Sequence, residues 1–341
     1  MTSVSVVIPC FTEARWDEIM RAVRSVLAQI HPCDVVVAVD HNDVLLARLR
    51  SEVGQQVRVV PNQFSRGASG GRNTGAMVAT GDLAVFMDDD EVAEPDWVAN
   101  LVRAHRAAPF AAGLGGAVVA RWPGGTPRWF PAEFSWTVGG TTPRLEDTDV
   151  RNVWGGNMAV RRKLFLEVGG FANEFGKVGH ASQPEDTELC LRINAHLGHR
   201  ARWRFVPDAV ISHEVPPERS TFRFFLRRNW AEGTGKRVMS SLSASSGQVL
   251  DEEVAFVRTA LTRGLLRNLL AAARGDLSGL ARAAATVLGV GAAGLGYLAA
   301  AARPVRIDRS PSGAEQVARS LSPVGVSTPG VPAPEMQEVQ A

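Results

Sequence analysis

The sequence predicts an α/β fold in which a mostly parallel central sheet is followed by a helical C-terminal region. Short apolar runs alternate with segments of helical periodicity over residues 1–110, and this alternation is typical of βαβ units. Acidic residues end two of the apolar runs, at Asp40 and Asp88. Because ligands of parallel sheets bind at the carboxyl ends of the strands, this placement supports the same fold class.

Four strands and three helices are predicted in the first part of the chain. The strands are the apolar runs 3–9, 34–40, 57–61 and 83–88. One helix is predicted at 16–29 and another at 95–107, where Pro95 suits a first turn that leaves its backbone N–H unpaired. The third is a small-residue stretch that follows the Gly-rich segment 65–75 and stops at Gly81.

The second part, residues 111–213, is less regular and rich in glycine, proline and tryptophan. Strands are predicted at 118–122, 150–160, 202–206 and 209–212, with a loop at 123–148. Gly155-Gly156-Asn157 interrupts the second of these strands. Helices are predicted at 161–168, where Gly169-Gly170 is a natural C-cap, and at 184–196.

The C-terminal part is predicted to be helical from about residue 220 onward. Residues 283–302 carry no charge and stand between Arg282 and Arg303, which is about the length that crosses a bilayer. Alanine and glycine dominate this stretch, so its hydrophobic drive is weak. Two interpretations stay open, a membrane-spanning or interfacial helix and a buried or oligomer-forming helix. Residues 304–341 are rich in Pro, Ser and Gly and predict a disordered tail.

Composition argues against several classes of protein. The net charge of +2 gives no reason to expect a nucleic-acid partner. The three cysteines, Cys10, Cys33 and Cys190, are scattered without metal-ligand spacing and fit a reducing compartment. No signal peptide is predicted at the N-terminus. We therefore expect a cytoplasmic protein, at the inner face of the cell membrane if the C-terminal helix binds lipid.

Asp88, Asp89 and Asp90 form an acidic triplet that directly follows an apolar strand and precedes Glu91. Carboxylates held this close repel one another. A divalent cation such as Mg²⁺ or Mn²⁺ relieves that repulsion, because these ions prefer oxygen ligands and share them with substrate phosphates. The alternative is a solvated turn that leads into the next helix. On the triplet alone, neither interpretation is preferred.

Three further segments could carry chemistry. The Gly-rich segment around Arg72 has the composition of a phosphate cradle but lacks a P-loop ending, and its alternative is a flexible loop before a closely packed helix. Glu185 and Asp186 start a predicted helix, where a carboxylate is either a cap or a base that removes a proton from a hydroxyl. His213 follows a short strand and is either an ordinary hydrogen-bonded residue or a metal ligand.

Taken in order, these segments resemble the family-two glycosyltransferases with the GT-A fold, over about residues 3–240. The resemblance implies one Rossmann-like domain with a nucleotide-sugar-binding half at 1–110 and an acceptor-binding half at 111–220. A helical region at 221–303 and the tail follow. The matching segments are 4–9, 39–40, 66–75, 86–90, 155–160, 169–171, Glu185-Asp186 and His213.

The resemblance also implies roles for individual residues. Asp186 would be the catalytic base, and the metal would be held by Asp90 with Asp88 and His213. The donor nucleotide-sugar, linked to UDP, GDP or dTDP, would contact the following set: Pro9, Asp40, Arg72, Asp88 and Asp89. The hydroxyl acceptor would lie near a second set: Gly156, Asn157 and Glu185.

The implied reaction is a metal-dependent, inverting transfer of one sugar per encounter to a glycan, lipid-linked or secondary-metabolite acceptor. His41 stands where members of this group often have a second acid, which affects the expected nucleotide preference. Residues 227–230 differ from the Gln-x-x-Arg-Trp motif of processive synthases, so a polymer-extruding enzyme is not expected. Two rivals remain, a sugar-phosphate nucleotidyltransferase of similar fold and a catalytically inactive binding protein.

Overall fold

A central sheet with helices on both faces forms most of the protein. The computed structural model describes residues 2–141, 148–173, 177–178, 181–182, 185–198, 201–242, 258 and 260–302. Its strands are β1 Val4–Cys10, β2 Asp34–Val39, β3 Val57–Pro61, β4 Leu83–Met87, β5 Glu91–Ala93, β6 Leu114–Arg121, β7 Thr148–Val150, β8 Asn157–Arg161, β9 Lys177–Val178, β10 Ala181–Ser182 and β11 Trp203–Glu214.

The helices follow the strands in the first part and dominate the C-terminal part. The α-helices are α1 Trp16–Leu27, α2 Asp43–Glu52, α3 Ala68–Val78, α4 Trp97–Ala107, α5 Arg162–Glu167, α6 Glu185–His196, α7 Phe222–Leu242, α8 Leu265–Ala273 and α9 Ser278–Ala301. Short 3₁₀ helices lie at Glu13–Arg15, Ala132–Val138 and Pro217–Ser220, and a π-helical turn lies at Ala260–Gly264.

The main sheet has the strand order β3-β2-β1-β4-β8-β6-β11-β5, and β7 pairs with β11. The pairs from β3 to β4 are parallel, and β8 lies antiparallel between β4 and β6. Strand β11 is parallel to β6 and antiparallel to β5 and β7. Six of the nine strands therefore run in one direction, and the predicted mostly parallel α/β fold is confirmed.

Alternate residues of the central strands supply two separate cores, as the two-residue period of a strand requires. Val6 and Ile8 of β1 point to the face covered by α1, α2 and α4. Val7 points to the opposite face, which α3, α5 and α6 cover. A third, aromatic cluster around Phe134 and Phe225 joins the Ala132–Val138 turn to α7 and α9.

Several elements differ from the sequence prediction. Most of the Gly-rich segment is part of helix α3 rather than a loop, because its glycines let the helix approach β1: a Cβ on Gly75 would collide with Val7, and one on Gly71 would lie 3.0 Å from Pro9 Cβ. The two short strands predicted at 202–212 are one strand, β11, with a register shift between Val206 and Val210. Helix α2 and strand β5 were not predicted.

Helix α9 contains the uncharged stretch, apart from Ala302. It is the one helix of the described residues that is long and apolar enough to cross a bilayer. About a third of its most apolar 18-residue stretch is buried inside the protein. One side of α9 packs against α7. The predicted tail at 304–341 lies outside the described residues.

Candidate active site

The candidate site lies where the parallel strands β1, β2 and β4 end. Asp40 follows β2 and Asp88 follows β4, with β1 between these two strands. Pro9, near the end of β1, is buried against Gly71 of α3. The acids at the strand ends therefore face the same edge of the sheet, as the sequence predicted.

The Asp40 carboxylate holds the start of helix α3. It accepts hydrogen bonds from the backbone N–H of Gly67 at 2.9 Å and from Nδ2 of Asn62 at 2.7 Å. His41 adopts a left-handed backbone with φ of 49°, and its Nδ1 lies 2.8 Å from the same carboxylate. Asp40 thus joins β2 to the Gly-rich helix, which carries Arg72.

The three aspartates of the triplet occupy three different environments. The Asp88 side chain is the most open, at 41% exposed, whereas that of Asp89 is 5% exposed. Nη1 of Arg15 lies 2.8 Å from Asp89 Oδ1 and 3.3 Å from Asp90 Oδ2. Arg15 therefore holds the two inner carboxylates and leaves Asp88 facing outward. The segment is a turn, but not the solvated turn of the alternative interpretation, because the side chains of Asp89 and Asp90 are only 5% and 20% exposed.

A tight turn after β4 sets this arrangement. Glu91 Oε2 accepts a hydrogen bond from the backbone N–H of Asp88 at 2.8 Å, and Glu91 then begins β5. Strand β5 pairs with β11 so that Glu91 lies opposite His213. This pairing brings Nδ1 of His213 to 3.6 Å from Asp90 Oδ1. The β5–β11 pairing thus explains how a residue distant in sequence joins the triplet.

Arg72 links the triplet to the first turn of α6. Its side chain is 4% exposed, and its guanidinium donates to Asp88 Oδ1 at 2.6 Å and to Glu185 Oε1 at 3.0 Å. The guanidinium also lies over the ring of Phe171, 5.3 Å from the centroid. A buried cation between two carboxylates fixes their separation, so Arg72 connects the two halves of the site.

Asp186 lies beside Glu185 at the start of α6. Its Oδ1 accepts from the Thr187 backbone N–H at 2.7 Å, and its Oδ2 accepts from the Gly155 backbone N–H at 3.3 Å. The carboxylate thus holds the Gly155–Gly156 loop against the helix start. These two hydrogen bonds place the carboxylate in the site.

Gly156 and Asn157 have different positions although they are adjacent. A Cβ on Gly156 would lie 2.9 Å from Glu91 Oε1 and 3.2 Å from Asp88 Oδ2, so only glycine fits beside these carboxylates. The Asn157 side chain is completely buried. Its Oδ1 accepts from Trp97 Nε1 at 2.8 Å, and its Nδ2 donates to two backbone carbonyls. The side chain of Asn157 thus serves the sheet, and the position of Asn157 near the acceptor stays a prediction.

Burial and charge give the carboxyl groups different proton affinities. Burial raises the pKa of Asp89 to about 7, although Arg15 opposes the shift. Burial also acts on Asp90, but His213, Arg15 and Arg219 beside it together outweigh burial and lower the pKa of Asp90 to about 2. Burial raises the pKa of Asp186 and, with the charge of Asp186, that of Glu185. Glu185 and Asp186, at the start of α6, therefore hold protons more readily than ordinary carboxyl groups.

The donor set fits a hard divalent cation that a ligand completes. Asp88 is partly exposed, and Asp90 lies beside the imidazole of His213. Among the described residues, no three His, Cys, Asp or Glu side chains are grouped so that they could hold a metal ion. A Mg²⁺ or Mn²⁺ ion that shares its coordination with phosphates needs only one or two protein carboxylates, so this open set suits it.

Three residues of the site were not predicted from the sequence. Arg15 follows β1, and its one signal is its position after a strand end. Glu91 is buried between Asp88 and Gly156, and both burial and the charges of Asp88 and Asp90 raise its pKa. Arg219 donates through Nη1 to His213 Nε2 at 3.2 Å. Arg15 meets Asp89 across 74 positions of the chain, and Glu91 meets Gly156 across a similar separation, so no local pattern marks these two contacts.

Comparison with known proteins identifies the family. The family model of glycosyl transferase family 2 matches residues 5–169. A glucosyl-dolichyl phosphate glucuronosyltransferase of Haloferax volcanii is 35% identical over 263 residues, which span 75% of this chain and 82% of that protein. The chain belongs to glycosyl transferase family 2. The predicted family is confirmed, and the protein is a glycosyltransferase rather than a sugar-phosphate nucleotidyltransferase.

Two more distant proteins are also similar to this family-2 glycosyltransferase. The succinoglycan biosynthesis protein ExoM of Rhizobium meliloti is 30% identical over 156 residues, covering 46% of this chain and 47% of that protein. A mannosyltransferase from Pyrobaculum calidifontis, solved in complex with GDP-Man and Mn²⁺, is 19% identical with a TM-score of 0.53. The alignment covers 87% of each chain, and it establishes a shared GT-A fold.

Proposed function

We propose that this enzyme transfers a sugar from a nucleotide-sugar to a hydroxyl group of a lipid-linked acceptor, one sugar per encounter, with inversion at the anomeric carbon. The observation that carries the proposal is the contact of Arg72 with both Asp88 and Glu185. This contact joins an open acidic strand end, suited to a metal and a diphosphate, to a helix start that carries a second, partly buried carboxylate. Donor chemistry and acceptor chemistry need those two groups side by side.

On the donor side, residues 1–110 would bind the nucleotide-sugar. Asp90, Asp88 and His213 would hold Mn²⁺ or Mg²⁺, and the bound ion would neutralise the charge that develops on the leaving nucleoside diphosphate. Arg72 would lie beside the diphosphate, and Asp40 at the end of β2 would face the nucleoside. The solved mannosyltransferase of this fold holds GDP-Man and Mn²⁺, which supports this assignment.

On the acceptor side, residues 111–220 would place the hydroxyl against Asp186. The raised pKa of the Asp186 carboxyl group strengthens it as a base, because a carboxylate with greater proton affinity removes a hydroxyl proton more readily. The deprotonated oxygen then attacks the anomeric carbon opposite the leaving diphosphate. A single displacement of this kind inverts the centre and needs no enzyme nucleophile. The Gly156 backbone and Glu185 would border the acceptor.

The acceptor class is proposed from the relative and from the C-terminal region. The Haloferax volcanii protein is named for a glucosyl-dolichyl phosphate, and helix α9 has the length and composition of a lipid-contacting helix. A sugar attached to a polyprenyl phosphate fits both observations. Such a substrate would bring the enzyme to the membrane, and we propose its cytoplasmic face.

The test measures donor binding first and transfer second. Nucleotide-sugars linked to UDP, GDP and dTDP are screened for thermal stabilisation with Mn²⁺, with Mg²⁺ and with EDTA, since a ligand of the folded state raises the midpoint of unfolding. The stabilising donor is then incubated with a short-chain polyprenyl-phosphate sugar, and the product anomer is assigned by NMR. Stabilisation only with metal, followed by an inverted product, is expected.

The proposal fails if no nucleotide-sugar is bound or turned over with either metal, and the protein would then be an inactive binding member of the family. A product with retained configuration would disprove the single displacement. A soluble oligosaccharide as the better acceptor would disprove the lipid-linked class and leave glycosyl transfer intact.

A further inference from the structure

Helix α9 has the reverse of the usual distribution of large and small side chains. The side of the helix that faces the protein is lined by small residues, among them Gly279, Ala285, Gly289 and Gly296. Its large apolar residues point away from the protein instead. In a helix of a water-soluble domain the large apolar residues face the core, so the outward side of α9 is built to contact something else.

The exposed large residues of α9 lie on one side of the helix, which we call the apolar face. It consists of Leu280, Val287, Leu288, Leu295 and Leu298, which are between 50% and 65% exposed. At 100° per residue these positions fall within about one third of the helix circumference. The positions between them on the same side are Ala or Gly. The face therefore runs along the helix without any charged residue.

The apolar face continues into helix α8 and the turn that follows it. Leu266, Leu269 and Leu270 of α8 are exposed, and Leu277 between the helices is 73% exposed. Nine of the seventeen exposed large apolar side chains in the described part of the chain lie at positions 266–298. Single exposed apolar residues are ordinary, but so many of them on two helices in contact indicate a binding surface.

The positive charge near the apolar face indicates which kind of partner it binds. Among the charged residues of 258–282, five are arginines and one is Asp276. Arg258, Arg263 and Arg274 are exposed, while Arg267 pairs with Glu133 and Arg282 pairs with Asp276. Cationic side chains at the edge of an apolar helical face are typical of helices that lie on anionic lipid.

The packing of α9 sets its orientation in the lipid. A Cβ on Gly296 would collide with the Trp230 backbone of α7, so the two helices are in close contact. Helix α7 carries six charged residues. A spanning α9 would draw these charges into hydrocarbon, which is costly. An orientation in the plane of the membrane keeps α7 in water and presents only the apolar face to lipid.

We propose that α8 and α9 form a monotopic docking surface, which lies in the plane of an anionic membrane and inserts the apolar face into its interfacial layer. The surface stands on its own observations and does not depend on the proposed acceptor. Helix α7 packs against α9, so docking would hold α7 beside the lipid surface.

The test is co-sedimentation of the full chain with vesicles. Vesicles of phosphatidylcholine alone are compared with vesicles that contain phosphatidylglycerol, at low and high salt. The protein is expected to pellet with the anionic vesicles and to do so less at high salt. The variant Leu280→Gln/Val287→Gln/Leu295→Gln is expected to bind at least about tenfold more weakly, because it removes apolar contact without changing charge.

The matched control carries the same number of substitutions elsewhere on the surface. Ile30, Phe110 and Leu197 are also exposed, at 73%, 91% and 38%. The variant Ile30→Gln/Phe110→Gln/Leu197→Gln is expected to pellet like the wild type. In a second measurement, Leu288→Cys is labelled with an environment-sensitive dye. Its emission is expected to be quenched more by lipids spin-labelled near the headgroup than by lipids labelled at the chain end.

Several outcomes would overturn the proposal. Wild-type protein that stays in the supernatant would disprove the docking surface. So would a Leu280→Gln/Val287→Gln/Leu295→Gln variant that pellets like the wild type. A stable dimer that the face variant dissociates, without vesicle binding, would assign the face to a second copy of the chain. Resistance to alkaline carbonate extraction would indicate a spanning helix. Transfer to a soluble short-chain acceptor without vesicles tests the proposed function separately.

Discussion

At the scale of single residues, burial and neighbouring cations separate acids that look alike in the sequence. Asp89 is buried against Arg15, and the pKa of its carboxyl group is raised to about 7. Asp90 lies beside His213 as well as Arg15, and the pKa of its carboxyl group is lowered to about 2. Asp88 stays open to the outside and contacts Arg72. Environments that push the pKa values of neighbouring carboxyl groups apart let one cluster serve several roles.

The first prediction concerns the proposed base. Asp186→Asn is expected to lower kcat by about 10²-fold to 10⁴-fold, because the amide cannot take the acceptor proton. Donor binding, measured by thermal stabilisation with Mn²⁺, is expected to stay unchanged. Glu188→Gln is the matched control on the same helix, since Glu188 pairs with Arg192, and its kcat is expected to stay within a few-fold of the wild type.

The dependence of the reaction rate on pH provides a second test of Asp186 as the base. A base acts when it is deprotonated, so the rate falls as the pH drops through its pKa. Burial raises the pKa of Asp186. The acidic limb of kcat/KM is therefore expected at a higher pH than that of an ordinary aspartate, for which the pKa is about 3.9. Full transfer activity in Asp186→Asn would contradict the assignment.

The second prediction concerns the glycine that borders the carboxylates. Gly156→Ala would bring a methyl group to 2.9 Å from Glu91 Oε1 and 3.2 Å from Asp88 Oδ2. The displaced carboxylates are expected to lower kcat/KM by about 10²-fold, since shifts of about 1 Å at a reacting centre have effects of that size. Gly124→Ala, which has open space around it, is expected to leave kcat/KM unchanged. Equal activity of the two variants would remove the steric argument.

At the scale of elements, periodicity predicted where strands and helices lie, while long-range pairing decided how they meet. The apolar runs at β1, β2 and β4 are clear in the sequence because each strand is buried on both faces. From its sequence, the Gly-rich segment is interpreted as a phosphate cradle or a flexible loop ahead of the helix, since glycine lowers helix propensity. Close packing of α3 on β1 overrides that propensity, and the segment is helical.

The third prediction separates two glycines of helix α9. A Cβ on Gly296 would meet the Trp230 backbone, whereas Gly294 has open space around it. Gly296→Ala is expected to destabilise the protein by about 1–3 kcal/mol through overpacking. Gly294→Ala is expected to stabilise α9 by roughly 0.5–1 kcal/mol, because alanine favours the helix. Urea unfolding of both variants measures the difference, and an equal effect would contradict the α7–α9 contact.

At the scale of the whole molecule, the fold is that of a large family while the C-terminal region adds a distinct surface. The match to glycosyl transferase family 2 ends at residue 169. Beyond it, β11 supplies His213 and the following turn supplies Arg219, so the site needs residues outside the matched segment. Helices α7 to α9 then place an apolar face on the outside of the protein.

The fourth prediction concerns the three cysteines, none of which is in a disulfide in the described part of the structure. Cys10 and Cys190 are buried, and burial raises the pKa of the partly exposed Cys33 to about 11. Because the thiolate is the reactive form, the native protein is expected to react slowly with a disulfide reagent at pH 8. In unfolded protein all three thiols are expected to react at once, which releases three equivalents of the reagent's thiol per protein chain. Rapid reaction of two thiols in the native state would contradict the packing of β1 or α6.

The sequence by itself determined the α/β class, the order of the first strands and the acids at their ends, because burial on a sheet imposes apolar runs and because ligand-binding side chains follow strand ends. It also marked Glu185-Asp186 and His213. Only the tertiary structure decided that Arg72 joins Asp88 to Glu185, that Arg15 holds Asp89 and Asp90, and that the Asn157 side chain serves the sheet. These contacts depend on distances between residues far apart along the chain, and such distances follow from strand pairing and helix packing rather than from local pattern.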